Sequence, residues 1–207
     1  MAHRVGIVGG GNISGTHLRA ALEIPGVEIA AVVGLEADRV KAMAAEVGAA
    51  AFTDYQEFLD HGQMDLVLLG TPSGLHAQQA RDAARRGMHV LCEKPLDVRT
   101  DEIDALIEES DRAGVKVGVF FQDRTSADLQ WLKRLIESGG LGTPILASAK
   151  VKWYRDANYF KGTGWRATWN LDGGGALMNQ GVHTLDALLW LFGDVNRVSG
   201  RYATLLH

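Results

Sequence analysis

The sequence predicts an α/β protein: a doubly wound parallel sheet over residues 1–120, followed by the start of a second domain over 121–207. Three observations predict it. Short apolar runs alternate with longer amphipathic stretches through the first 120 residues, as strand–helix–strand crossovers require. Glycine supplies 25 of 207 residues and proline only 4, so glycines punctuate an ordered fold rather than a linker. Near Phe121 the alternation stops, and a helix, a long apolar run and an irregular aromatic stretch follow.

The apolar runs 4–9, 28–33, 50–52, 65–70, 89–92 and 116–120 read as strands. Between them, 13–23, 36–47, 74–86 and 100–113 read as helices, which places helices on both faces of a parallel sheet. In 36–47, Val40, Met43, Ala44 and Val47 recur at helical spacing among Asp38, Arg39, Lys41 and Glu46. In 100–113, Ile103, Leu106 and Ile107 lie among carboxylates, with Thr100 as the N-cap and Gly114 as the stop. Beyond Phe121, a helix over 126–138 carries Leu129, Leu132, Leu135 and Ile136, and the glycine- and proline-containing run 139–144 ends it. Runs 145–153 and 197–205 read as strands, and 176–192, opened by Gly173-Gly174-Gly175, as a helix. Residues 154–172 have no clear period. Two strands and two helices have little sheet with which to bury an apolar face, so more sheet is expected from a C-terminal portion or another chain.

Composition excludes several classes. With 46% hydrophobic and 22% charged residues the chain has enough apolar surface to fold. A net charge of −4 argues against a nucleic-acid partner, which needs a basic face. Cys92 is the single cysteine, so no internal disulfide forms and a reducing, cytoplasmic compartment fits. No apolar run approaches the ~20 residues of a membrane span, and the first residues enter a strand pattern with no signal peptide expected before it. No Cys/His or carboxylate cluster has metal-ligand spacing, so no metal is expected.

Three strand ends carry chemistry. Gly9-Gly10-Gly11-Asn12-Ile13-Ser14 follows a strand and opens a helix, the context of a Rossmann dinucleotide fingerprint. Gly9 permits the tight turn and Gly11 lets the backbone approach a pyrophosphate. Asn12 and Ile13 begin the helix whose free N–H groups face it. Ser14 stands where the third Gly or Ala is usual. The second strand should end in an acidic residue for the adenosine ribose, but Gly34 stands there. Either Glu36 reaches the ribose, which favours NAD, or Gly34 leaves room for a 2′-phosphate held by Arg39, which favours NADP. A third reading makes both ordinary first-turn helix charges; the reading leans slightly to NAD. Next, Thr71, Pro72, Ser73 and His76 leave a strand at the carboxyl edge where open α/β sheets bind ligands, although Ser73 is also a plain N-cap candidate. Finally, Val90-Leu91-Cys92 delivers Glu93 and Lys94 to the same edge, and Pro95 either restricts Lys94 to extended geometry or follows a cis bond. Lys94 there can polarise a substrate hydroxyl; alternatively Glu93 and Lys94 are a surface charge pair of little energetic weight. Cys92 reads as core rather than nucleophile.

Together these motifs resemble the Gfo/Idh/MocA family, the relatives of glucose–fructose oxidoreductase and inositol dehydrogenase. Gly140-Leu141-Gly142 and the run from Asp172 through Gly173-Gly174-Gly175, Asn179 and His183 to Asp186 extend the resemblance over essentially the whole chain. The look is nearest the branch acting on nucleotide-linked amino sugars. The resemblance implies a Rossmann domain followed by an α+β substrate domain. In the family that second domain is an open, mostly antiparallel sheet carrying the substrate pocket and often the homo-oligomer contact; it is incomplete in this sequence. It implies an NAD(P)-dependent oxidoreductase acting on a ring hydroxyl of a sugar, sugar nucleotide or cyclitol. By resemblance, Lys94 matches the catalytic lysine and His183 the acid/base histidine, and the two are expected to meet across the nicotinamide. Gln122, Glu93 and Lys94 join the cofactor contacts. The family often has Asp four residues before the histidine. Asn179 stands there and cannot accept a proton, which throws the acid/base role onto His183 and Lys94. Asp186 is expected to orient His183. Trp153, Tyr154, Arg155, Trp165 and Trp169 either wall a sugar pocket or pack over the sheet. The competing reading is an NAD(P)-binding regulator of the same fold without turnover.

Overall fold

The computed structural model describes residues 2–62, 64–161 and 164–204. The chain divides into two compact units, Met1–Phe120 and Phe121–His207.

In the first unit the strands are β1 (His3–Val8), β2 (Val27–Val33), β3 (Ala50–Phe52), β4 (Leu66–Leu69), β5 (His89–Cys92) and β6 (Val117–Val119). They form one sheet in the order β3-β2-β1-β4-β5-β6, with every neighbouring pair parallel. The order reverses between β1 and β4, so the turns leaving these two strands part and open a crevice at their carboxyl ends. Register sets which residues meet there. Val8 lies opposite both Val33 and Leu69, and Leu69 lies opposite Cys92. Gly9, Gly34, Gly70 and Glu93 therefore leave the sheet in one row.

Helices α1 (Asn12–Leu22) and α2 (Ala37–Ala45) cover one face, packing Leu18, Ala21, Val40 and Ala44 on Val5, Ile7, Val32 and Leu68. On the other face, α3 (Tyr55–Leu59), α4 (His76–Ala84) and α5 (Thr100–Ala113) bring Phe58, Ala77, Ala80, Ala83 and Leu106 onto Val33, Val67, Leu69 and Val90. Two residues adjacent on a strand thus serve different cores, as the period of two demands. The short α3 was not legible as a helix; Asp54 caps it by accepting from the backbone N–H groups of Gln56 and Glu57. Thr100 is the first helical residue rather than the N-cap, a position Arg99 occupies without a side-chain bond. Gly114 ends α5 in the left-handed region, φ 66°.

The second unit contains α6 (Ala127–Glu137), α7 (Ala157–Phe160) and α8 (Val182–Phe192). Ser126 and Asp156 cap the first two through their side chains. The glycine-led helix expected over 176–192 is not uniform: Leu177–Gly181 forms a π-type turn before α8 begins. The strand expected over 145–153 is absent, and so is the described part of that over 197–205. Both runs are mainly exposed, and neither finds a ladder partner among the described residues; without one an extended run has no inter-strand hydrogen bonds. Leu205 lies outside the described residues.

Candidate cofactor and active site

Gly9 adopts φ 114°, and a Cβ there would lie 2.7 Å from the Gly70 carbonyl oxygen and from Ser14 Oγ. Only glycine makes this turn. Gly11 differs: a Cβ there would meet nothing within 4 Å. Gly11 is the N-cap of α1 and no side chain makes a cap bond there, which leaves the first-turn N–H groups available to an anion. Ser14 is buried between the β1 and β4 turns.

Gly34 packs closely on the glycine turn. A Cβ at this position would sit 2.8 Å from Gly10 N and 3.0 Å from Val40 Cγ2. The missing carboxylate is thus a consequence of the glycine turn packing against the end of β2. Arg39 reaches across from α2 and donates through Nη2 to Asn12 Oδ1 at 2.7 Å, which puts its guanidinium beside the turn. Glu36 is exposed at the N-cap of α2 and makes no capping bond. Ile13 is 41% exposed beside these groups.

On the β4 turn, Thr71 Oγ1 donates to Gln79 Oε1 at 2.5 Å. Ser73 does not cap α4; it opens a single 3₁₀ turn behind Pro72, and Leu75 holds the cap position. His76, the next residue expected near the cofactor, is packed between two turns. It is 1% exposed, and its Nδ1 and Nε2 lie 2.8 Å from the carbonyl oxygens of Pro95 and Thr71. The ring ties the β4 turn to the β5 turn. Burial draws its pKa down against the opposing pull of those carbonyls and of Asp97 and Glu93.

The Lys94–Pro95 peptide bond is cis, one of the two geometries anticipated. Cys92 is fully buried, and burial pushes its thiol pKa well up, so it is core and no nucleophile. Glu93 is not in a surface pair. Its Oε1 accepts from His17 Nε2 at 3.0 Å and its Oε2 from the Lys94 backbone N–H at 3.1 Å. Burial would raise its pKa, but the hydrogen bond and charge of His17, with the Lys94 N–H and charge, hold it below the ordinary value. His17 was missed in the sequence. It lies on the buried face of α1 with Ser14, Leu18 and Ala21, and a polar residue in that row is the one signal it leaves.

In the second unit, Asn179 sits in the π-type turn. Its Oδ1 accepts from Tyr159 Oη at 3.2 Å, and its Nδ2 donates to Asp172 Oδ1 at 3.4 Å. The π-type turn, not a regular α-turn, therefore sets the register between Asn179 and His183. His183 meets Phe121 edge-on at 6.3 Å between ring centroids. Both Asp186 carboxylate oxygens accept from Arg124, at 2.5 and 2.8 Å. Gln122 opens the one-turn helix Gln122–Thr125, its carbonyl accepting from Thr125 Oγ1. Trp153, Tyr154 and Trp169 are exposed, while Arg155 and Arg166 both lie over the Tyr159 ring. Among the described residues no group of His, Cys, Asp and Glu is placed to hold a metal, and no helix is long and apolar enough to cross a membrane.

A parallel sheet with a glycine turn at its switch point and a lysine on the same edge defines a dinucleotide-binding α/β scaffold. The chain belongs to the GFO/IDH/MocA oxidoreductase family: residues 3–121 match its NAD-binding Rossmann fold and residues 129–207 its C-terminal domain. It is 34% identical to the rhizopine catabolism protein MocA of Rhizobium meliloti over 92% of this chain and 57% of that one. It is 31% identical to inositol 2-dehydrogenase 3 of Saccharopolyspora erythraea over 94% of this chain and 55% of that one. Among solved structures it is similar to the WlbA dehydrogenase of Bordetella pertussis in complex with NADH and UDP-GlcNAcA. The TM-score there is 0.89 at 36% identity, over 93% of this chain and 60% of that one. The chain thus spans little more than half the length of these relatives.

Proposed function

We propose that this protein transfers hydride between NAD(P) and a ring carbon of a sugar, sugar nucleotide or cyclitol, in the cytoplasm and as a homo-oligomer. Residues 1–120 serve as the cofactor domain and 121–207 belong to the substrate domain. The observation that carries the reading is Lys94, delivered by β5 to the edge where the uncapped α1 begins. The residues present fit a dinucleotide. Gly11 leaves open space before free N–H groups, Gly9 makes the turn, and Arg39 stands beside Asn12. The bound dinucleotide supplies the hydride carrier. The likeness to the WlbA dehydrogenase, bound to NADH and UDP-GlcNAcA, supports a nucleotide-linked sugar as the substrate.

The chain's own groups take the remaining tasks. The α1 N–H groups bind pyrophosphate oxygens. The Lys94 ammonium stabilises negative charge on the substrate oxygen as its proton leaves. A ring nitrogen of His183 takes that proton; imidazole, with an ordinary pKa of about 6.5, suits the exchange near neutral pH. The Asn179 amide holds a hydroxyl and moves no proton. The test is an assay of the full chain with NAD+ and NADP+ against UDP-GlcNAcA, myo-inositol and glucose, following reduced nicotinamide. Turnover is expected to be highest on the nucleotide sugar. Lys94→Ala and His183→Ala should each lower it by about 10²–10⁴-fold with dinucleotide affinity little changed. A chain that binds neither dinucleotide in calorimetry overturns the reading.

A further inference from the structure

We infer that His17 is a positioning residue for Lys94: by holding the Glu93 carboxylate, it fixes the main chain that presents the lysine at the cofactor edge. The inference rests on the catalytic reading of Lys94 only for its consequence; the geometry stands without it.

His17 lies on α1, whose first turn faces the crevice, and is 9% exposed. Two contacts fix its ring. Its face stacks on Phe120, centroids 4.2 Å apart and planes 13° from parallel, and its Nε2–H points to Glu93 Oε1 at 3.0 Å. Phe120 is itself tied to β5, its N–H donating to the Cys92 carbonyl at 2.8 Å. The histidine therefore braces the end of β5 from the helix side and from the β6 side together.

Glu93 passes this constraint on. Its N–H donates to the Leu69 carbonyl at 2.9 Å, which holds its main chain to β4. Its side chain is then spanned by two donors, His17 on one oxygen and the Lys94 N–H on the other. The carboxylate is 16% exposed, and these donors replace water it has lost on that side. Without the imidazole donor, the carboxylate is expected to turn toward solvent and release the Lys94 N–H. On the other side of Lys94, the Pro95 carbonyl oxygen packs 2.8 Å from His76 Nδ1. Lys94 thus sits between two restrained residues, and α1 controls one of the restraints. The helix that meets the cofactor phosphates also sets where the lysine stands.

Two variants separate the donor from the packing. His17→Leu keeps an apolar side chain against Phe120 and removes the donor. His17→Gln keeps an N–H near the Nε2 position and removes the ring. Amide hydrogen exchange of the full chain, read residue by residue by NMR, is compared with that of Val90, whose N–H lies in the β5–β6 ladder. In His17→Leu the Lys94 amide should exchange at least about tenfold faster relative to Val90, and in His17→Gln it should return to within about threefold of the parent. NAD+ affinity should stay within about threefold in both. With a turned-over substrate, His17→Leu should lower kcat and leave the KM for NAD+ in place. Unchanged Lys94 protection in His17→Leu, equal loss at Val90 and Lys94, or no recovery in His17→Gln would each overturn the inference, the second by reducing His17 to a fold residue. A protein that binds no dinucleotide would sink the oxidoreductase reading and leave the exchange result intact, so the two failures are distinct.

Discussion

At Gly34 a single missing Cβ decides what a substitution can do. An Asp there would supply the ribose-binding carboxylate that many dinucleotide folds carry. Here its Cβ would press on Gly10 N at 2.8 Å and displace the turn. Gly34→Asp is therefore expected to weaken NAD+ binding by at least tenfold in calorimetry, where a ribose contact alone would strengthen it. Gly11→Val makes the converse case. Its side chain enters open space, so the protein should fold with a melting temperature near the parent's and lose dinucleotide affinity; retained affinity in the folded variant would remove the turn from the site. Glu93 adds a pH dependence. Its folded pKa is depressed, so its contribution to stability is complete above the unfolded carboxyl value of about 4.3 and is lost as pH falls through the lower folded value. Glu93→Gln should flatten that acid limb of a melting-temperature-against-pH curve.

Between elements, two side-chain ties carry more than their neighbours. His76 stands between the turns after β4 and β5, each ring nitrogen 2.8 Å from a carbonyl oxygen, and its neutral ring donates to one of them. His76→Phe removes the one donor a neutral imidazole offers these carbonyls and should cost about 1–3 kcal/mol in urea unfolding, the ordinary range for a buried group left unsatisfied. In the second unit, Arg124 spans from the one-turn helix Gln122–Thr125 to α8, gripping Asp186 and lying within 6.0 Å of the Trp190 ring centre. The Asp186 side chain is 9% exposed but that of Arg124 is 43% exposed. Asp186→Ala should therefore cost about 1–3 kcal/mol, less than the ~3–5 expected when a fully buried pair is broken.

Across the whole molecule the two units differ in how complete their packing is. The first has its sheet covered on both faces by two apolar clusters. The second buries few of its described residues, chiefly Asp172, Gly181, Asp186 and Leu191, and leaves Ile145 98% and Leu146 88% exposed. A fragment of residues 1–120 should accordingly fold cooperatively and bind NAD(P) with an affinity near that of the full chain. A molten or dinucleotide-silent fragment in circular dichroism and calorimetry would refute this.

The sequence by itself determined the six strands of the first unit, its four longer helices and the three strand ends where chemistry collects. Those follow from local rules: apolar period, glycine at a required turn, and the crossover a parallel pair needs. It also identified Cys92 as core, because an apolar strand brought it there. What it could not determine were the partners of polar groups far apart in the chain. His17 and Glu93 are separated by 76 residues, Arg124 and Asp186 by 62, and His76 and Pro95 by 19. Nothing in their spacing announces the pairing. Likewise the closeness of Gly10 to Gly34 is invisible in the sequence, and 145–153 reads as a strand because periodicity records which faces are apolar but not whether a partner strand lies alongside. Only the tertiary structure decided these, because a hydrogen bond, an ion pair and a ladder each need two groups that the fold alone brings together.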